Sequence, residues 1–380
     1  MGVGSSAAKD AREAGSAAAS ACLTGPDPRL LVVFCSDAFD LWALLASINE
    51  VAGGVPLIGC STAGEISGAG PGEASVVVTA LGGDFEVATS VGVDAADGLR
   101  RAGAEAASCV TALGERPQRA VLILTDGLSG DQQEIVRGAY GIVGAAVPLV
   151  GGCAGDDLRM QVTHQLYNDR VLTDSVVAAA IGSEAPIGIG VRHGWRKVGE
   201  PMLVTSSLGN RVHRLDDRPA LDVYLERLEA PESARIDPAA FTRFATTHPL
   251  GLERRGGEEV RFVGEADFED RSLGCIADVP QGGLTWFMDG DDRSVLDATD
   301  AACRAAVDGL GGNPPIGMIA FDCIARRGVL GDEGMQREVA RVVHHAAGAP
   351  VAGFYTYGEI ARVKGVTGFH NQTLVVLAVS

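Results

Sequence analysis

At 380 residues, 46% hydrophobic and 21% charged, the chain is long enough for one large or two medium domains with complete cores. A net charge of −18 and no Lys/Arg block would repel a phosphate backbone, which sets nucleic-acid partners aside. The longest apolar runs, such as Leu30–Phe34 and Val121–Leu124, are strand-sized and far short of a membrane span, so no membrane insertion is expected.

Residues 1–25 form a low-complexity segment without a signal-peptide h-region. Met1-Gly2-Val3-Gly4-Ser5-Ser6 fits the myristoylation pattern only formally. Eight cysteines, with no C-x-x-C pair, fit reduced and buried thiols in a cytoplasmic protein.

In chain order, Ser6–Cys22 reads as a helix, Leu30–Phe34 as a buried strand, and Asp37 as the cap of a helix with Leu41, Leu44, Leu45 and Ile48 inward. Pro56-Leu57-Ile58-Gly59 then starts a second strand. The same recipe returns as a helix from about residue 97 to 113, a strand over 120–125, and a helix capped by Ser129 or Asp131 and ended by Pro148-Leu149-Val150-Gly151. A third round runs through the helix 292–310, the strand 316–321, and a helix carrying Met335, Val339 and Val342, ahead of Pro350-Val351-Ala352-Gly353. Helix–strand–helix–strand order implies parallel pairing through crossover helices.

Between these rounds, 74–81 and 85–93 read as a hairpin turning at Gly82-Gly83-Asp84. So do 272–279 and 284–288, turning at Gln281-Gly282-Gly283. Gly82-Gly83-Asp84-Phe85-Glu86 resembles the cyclase signature G-G-D-E-F with its last two letters reversed, and reads as hairpin. Further strands are expected over 159–166, 175–181, 186–193, 201–206 and 372–380, with a helix near 220–228. His248-Pro249-Leu250-Gly251 reads as a fourth, worn copy of the repeat. The fold class expected is α/β and internally duplicated. Residues 1–214 and 215–380 form two halves, each a mixed sheet with helices packed on it.

Gly59-Cys60-Ser61-Thr62-Ala63-Gly64-Glu65-Ile66 and Gly353-Phe354-Tyr355-Thr356-Tyr357-Gly358-Glu359-Ile360 share the pattern G-x-x-T-x-G-E-I. Gly151-Gly152-Cys153-Ala154-Gly155-Asp156 is a looser copy. Each follows a short strand, so each falls at a strand's carboxyl end, where ligands of parallel sheets settle. Their glycines permit positive φ and close backbone approach, and their exposed N–H groups can hold a carboxylate. Glu65, Glu359 and Asp156 can pair with an ammonium group, so a zwitterion would satisfy both kinds of partner. The alternative is a set of tight turns whose carboxylates cap local backbone.

Taken with Thr125-Asp126-Gly127-Leu128, Phe321-Asp322-Cys323 and Phe369-His370-Asn371-Gln372-Thr373, these motifs resemble the FIST family, with its FIST N and FIST C halves. The resemblance spans nearly the whole chain. It implies a sensory signal-transduction role with a small ligand such as an amino acid, and it carries no catalytic mechanism. Signalling members often carry a kinase or cyclase module. A chain of this length leaves no space for one, so the expected reader is a separate protein such as a histidine kinase or a cyclic-dinucleotide enzyme.

The ligand-binding set expected is Cys60, Ser61, Thr62, Gly64, Glu65, Asp126, Gly152, Cys153, Asp156, Tyr355, Thr356, Tyr357, Gly358, Glu359, His370 and Asn371, bordering a cleft between the halves. Asp37 and Asp126 serve equally as helix caps, and Asp322 and Cys323 share their strand-end position. No catalytic residue, metal or cofactor is assigned. The rival readings are an enzyme using Cys60 or the Glu65/Glu359 pair, a haem-based gas sensor drawing on His164, His193, His213, His248, His344, His345 or His370, and an interaction scaffold.

Overall fold

The computed structural model describes residues 1–254, 257–363 and 368–380. Three copies of one unit make up most of them. Unit I runs through strand Gly2–Ser6, helix Ala11–Cys22, strand Pro28–Cys35, helix Leu41–Ala52, strand Leu57–Ser61, the short strands Glu65–Ser67 and Gly70–Gly72, and strand Val76–Gly82. Unit II repeats that order as Glu86–Gly92, Leu99–Ala107, Gln118–Thr125, Gln132–Val143, Leu149–Cys153, Gln165–Tyr167 with Arg170–Leu172, and Val176–Ser183. Unit III repeats it as Ile187–Arg192, Asp292–Asp308, Gly317–Cys323, Ile324–His345, Val351–Thr356, Glu359–Arg362 with Phe369–His370, and Leu374–Val379. An insertion, residues 193–291, interrupts unit III after its first strand. It folds as an eight-stranded antiparallel sheet with the helices Ala220–Arg227, Glu232–Ile236 and Pro238–Ala245.

The expected mixed α/β architecture is present in all three units. The central strands pair in parallel, with Leu31 opposite Leu57, Val121 opposite Leu149 and Met318 opposite Val351. The prolines stand just ahead of the second strand of each pair, where a missing N–H costs no ladder bond. Their carbonyls accept from Leu31, Val121 and Met318 at 2.8, 2.9 and 3.0 Å.

The short hairpin of each unit leaves its own sheet. That of unit I pairs with unit III (Ile66 opposite Gly353), that of unit III with unit II (Ile360 opposite Gly151), and that of unit II with unit I (Leu166 opposite Gly59). The three six-stranded sheets are thus closed into a ring by exchange.

Strand alternation splits each sheet between two cores. Leu31 and Val33, Val121 and Ile123, and Met318 and Ala320 pack on their own unit's helices. Leu30, Val32 and Phe34, Leu122 and Leu124, and Ile319 and Phe321 meet in one shared centre. There Phe34, Phe321 and Phe354 lie with ring centroids 4.6–6.2 Å apart. Each fully buried side chain of this kind contributes ~1.5–3 kcal/mol.

Several expectations change. Residues 2–6 are a strand paired with Val76–Ala80, so the first helix begins only at Ala11, capped by Asp10. Asp40, not Asp37, caps the second helix through the N–H groups of Trp42 and Ala43. Asp131, not Ser129 or Asp126, caps the helix after 125. The strands around Gly82-Gly83-Asp84 are correct but form no hairpin: Val76–Gly82 stays in the sheet of unit I and Glu86–Gly92 pairs with unit II. Ser272–Cys275 and Leu284–Asp289 likewise lie apart within the inserted sheet. The supposed fourth copy at 248–251 leads into Leu250–Arg254, an antiparallel strand of that sheet. The 214/215 position lies within the insertion, which is flanked by the first strand of unit III, Ile187–Arg192, paired with the final strand, and by the helix Asp292–Asp308.

Candidate functional site

The three glycine-rich segments meet. The N–H of Ala63 donates to the carbonyl of Tyr355 (3.0 Å), that of Tyr357 to Cys153 (3.2 Å), and that of Gly155 to Ser61 (3.0 Å). This is a closed ring with one bond from each unit to the next. Behind it, the N–H groups of Tyr355, Cys153 and Ser61 donate to the carbonyls of Gly64, Gly358 and His164. The first glycine of each motif is fixed by strand contact. A Cβ at Gly59, Gly151 or Gly353 would stand 2.4, 1.9 or 2.2 Å from the carbonyl oxygen of Val33, Ile123 or Ala320. The second glycine, Gly64 (φ +116°) or Gly358 (φ +159°), takes a backbone shape closed to most residues.

Most of the expected site residues are packed into this hub. Glu65 and Glu359 are 1% and 0% exposed. Glu65 accepts from the Thr62 hydroxyl (2.5 Å) and from the N–H and hydroxyl of Ser75 (3.1 and 2.6 Å). Glu359 accepts from Thr356 and from the N–H and hydroxyl of Thr373 (3.1 and 2.7 Å). Burial pushes both carboxyls up to about 7, against the pull of those hydrogen bonds.

The equivalent position in unit II is Gln165, not Asp156. Gln165 faces Cys60 as Glu65 faces Phe354 and Glu359 faces Gly152, and its side-chain oxygen accepts from the Ser175 N–H at 3.3 Å. All three residues pin the start of their unit's last strand.

Cys60 lies in the shared core and Cys153 on the opposite face against the helices of unit II, because register matches Cys153 to Ser61 and leaves Gly152, filled out by Thr356, beside Cys60's position. Burial drives both thiols up. Ser61 donates to the Gly155 carbonyl and accepts from the His164 N–H. Asp126 accepts from Leu128 N–H, Thr163 and Asp174 N–H. Tyr355 is 1% exposed. The His370 ring lies 3.0 Å from the Ala361 carbonyl, and burial lowers its pKa. Asp37 pairs with Arg159. Among the described residues, no group of three or more His, Cys, Asp or Glu gathers as a metal-ligand set.

Of the expected set, Tyr357 and Asn371 line a cavity of about 330 Å³ at the carboxyl ends of the parallel strands of units II and III. Unit II supplies Gly127, Leu158 and Met160, and unit III adds Cys323, Ile324, Ala325 and Gly328. The inserted domain closes the far wall with Thr242, Thr246, Phe262 and Ile276. Asp156 acts behind this wall. Its carboxylate accepts from the Tyr357 hydroxyl and from the N–H groups of Met160, Gln161 and Val162 (2.9, 2.7 and 3.1 Å). Burial opposes ionisation there, but these donors outweigh it and hold the pKa below the usual carboxylate value. The clasp sets Asp157, Leu158 and Met160 at φ of 54°, 62° and 53°, uncommon for such residues.

The wall contributed by Leu158, Met160 and the inserted domain escaped the repeat-based reading. One signal was present: residues 154–164 separate two strands that three or fewer residues separate in the other units, 62–64 and 357–358.

Comparison with known proteins divides the chain in two, at a point within the insertion. The FIST N domain model matches residues 29–218 and the FIST C domain model residues 220–362. An uncharacterized protein of Mycobacterium tuberculosis is 26% identical over 98% of this chain and 97% of its own length. An uncharacterized protein of Mycobacterium bovis is 26% identical over 59% of this chain and 58% of its own. One of Methanocaldococcus jannaschii is 27% identical over 42% of this chain and 33% of its own. The chain belongs to the FIST family, with a FIST N domain followed by a FIST C domain, a class associated with sensing in signal transduction.

Proposed function

We propose that the protein is a non-catalytic, cytoplasmic sensor that binds a small molecule in the cavity between the hub and the inserted domain. A separate protein, such as a histidine kinase or a cyclic-dinucleotide enzyme, reads the result. The observation that carries this reading is the cavity itself. It stands at strand carboxyl ends, its walls come from three separate parts of the chain, and Asn371 on its lining keeps a buried Oδ1 without a hydrogen-bond partner.

A ligand there touches the inserted domain and units II and III together. Among the described residues, the inserted domain joins unit III at residues 193 and 291 and through contacts such as the Trp195 indole N–H to the Gln372 carbonyl at 3.1 Å and Gln372 to the Thr246 carbonyl at 2.7 Å. Binding would therefore shift one body against the other. The non-catalytic part rests on the enclosure of Cys60 and on the complete local bonding of Glu65 and Glu359. The cytoplasmic part rests on eight unpaired, buried cysteines. No helix among the described residues is long and apolar enough to cross a membrane.

A thermal-shift screen of the full chain against small metabolites tests the reading. A Cβ at Gly328 would meet nothing nearer than Thr246 at 3.5 Å, so Gly328→Leu should fold and fill the cavity. Compounds that raise Tm of the wild type should leave this variant unmoved. Equal shifts in both proteins would remove the cavity from the proposal.

A further inference from the structure

We infer that the cavity takes an uncharged, largely apolar molecule carrying one hydrogen-bond donor for Asn371, covered at the rim by Leu158 and Met160. This rests on the reading of the cavity as the ligand site. It departs from the amino-acid ligand expected for the repeated carboxylates, because Glu65 and Glu359 do not line it.

Among the described residues, the lining holds no Asp, Glu, Lys, Arg or His. A bound ammonium or carboxylate would lose its water with no opposite charge to meet it. The polar side chains on the lining are nearly all committed. The Tyr357 hydroxyl is held by Asp156 and by the Leu158 N–H at 2.6 Å. Thr242 donates to the carbonyls of Pro238 or Gly264, and Thr246 to that of Thr242. Asn371 donates its Nδ2 to the His370 carbonyl at 3.1 Å, and its Oδ1 is left as the unmatched acceptor. That oxygen is sealed as the side chain stands, and a turn of the amide that brings it to the cavity would favour a ligand N–H or O–H over any apolar atom.

The rim is apolar and open to solvent. Leu158 is 60% and Met160 57% exposed, although the Asp156 clasp holds the backbone that carries them. A ligand with an apolar face gives these side chains the burial that the free protein does not.

Three related probes separate the possibilities: indole, with one N–H and no charge; 1-methylindole, which lacks the donor; and tryptophan, the same ring as a zwitterion. Binding is read by ligand-observed NMR and calorimetry on the full chain. Indole should bind, 1-methylindole about tenfold more weakly, and tryptophan not measurably. Asn371→Leu, with its fold checked by circular dichroism and Tm, should bring indole down to the 1-methylindole level and leave 1-methylindole unchanged. Tryptophan binding as tightly as indole, equal affinity of indole and 1-methylindole, or no binding by either uncharged probe would overturn the ligand class. Indole binding equally to wild type and Gly328→Leu would instead overturn the cavity as the site.

Discussion

Replacing Glu65 and Glu359 by glutamine should remove a pH dependence from the stability of the hub. Burial raises both carboxyls from an ordinary value of 4.5 to about 7. The folded state therefore holds these protons more tightly than the unfolded chain does. The stability they contribute is full below the unfolded value and is lost as pH rises through the folded value. Between about pH 5.5 and about pH 8 the two titration curves differ by about 2 kcal/mol for each carboxyl, or about 4 kcal/mol for both.

Glutamine removes the titration and keeps the geometry, since Gln165 already makes the equivalent bond to Ser175 in unit II. Urea unfolding of wild type, Glu65→Gln, Glu359→Gln and the double variant across this range gives the test. His193, lowered by burial to about 4, contributes stability that is lost as pH falls. That term is common to all four proteins and cancels in the differences. The gap between wild type and the double variant should change by about 4 kcal/mol across the range in favour of the variant at high pH. A gap that stays constant with pH would refute the assignment of these carboxyls as buried, proton-holding pins.

Three further outcomes follow from packing and charge. Gly353→Ala should cost about 3 kcal/mol in urea unfolding, because its Cβ would stand 2.2 Å from the Ala320 carbonyl oxygen. Gly68→Ala, where a Cβ meets nothing within 4 Å, should stay within ~0.5 kcal/mol. Arg326→Met should cost about 3–5 kcal/mol, since Arg326 is fully buried between Asp322 (2.7 Å) and Glu338. Burial and the Glu338 charge push Asp322 far above the carboxylate range, while Arg326 outweighs burial at Glu338 and holds it low. Retained stability in this variant would mean that the pair does not hold its charge in the folded state.

Elements with strong periodicity were legible from the sequence. The helix 292–308, the part of 324–345 beyond the kink at Gly331 that carries Met335, Val339 and Val342, and the strands 30–35, 118–125 and 317–323 carry apolar positions at the spacing their burial requires. The strand Gly2–Ser6 was not legible, because its glycines answer to a neighbour and leave no apolar run. A Cβ on Gly2 or Gly4 would stand 2.1 Å from the carbonyl of Cys22 or Ala18 in the adjacent helix. The false hairpins have a different origin. Two strands joined by a short glycine turn satisfy every local rule for a hairpin, and local rules cannot see that Val76–Gly82 is already flanked by Pro28–Cys35 and Gly2–Ser6. Asp156 was matched to Glu65 by counting along the chain, whereas register, set by strand pairing, selects Gln165.

The repeat accounts for the hub, and departures from the repeat account for the cavity. All three units bring a strand end to the ring: Ser36, Asp126 and Cys323 each donate their N–H to the residue before their unit's last strand, Ser75, Ser175 and Thr373. A threefold arrangement of identical units would give three identical pockets or none. Two irregularities break the equivalence. Unit II lengthens one turn to residues 154–164 and clasps it on Asp156, and unit III admits the insertion 193–291 between its first strand and first helix. Both lie beside Cys323, Ile324 and Asn371. The octapeptides that made the repeat visible are therefore the parts most firmly committed to holding the three units together. Leu158, Met160, Phe262 and Ile276 have no counterpart lining a cavity in the other units among the described residues. They belong to the two segments that the shared scaffold does not require, and so to the segments free to be fitted to a ligand.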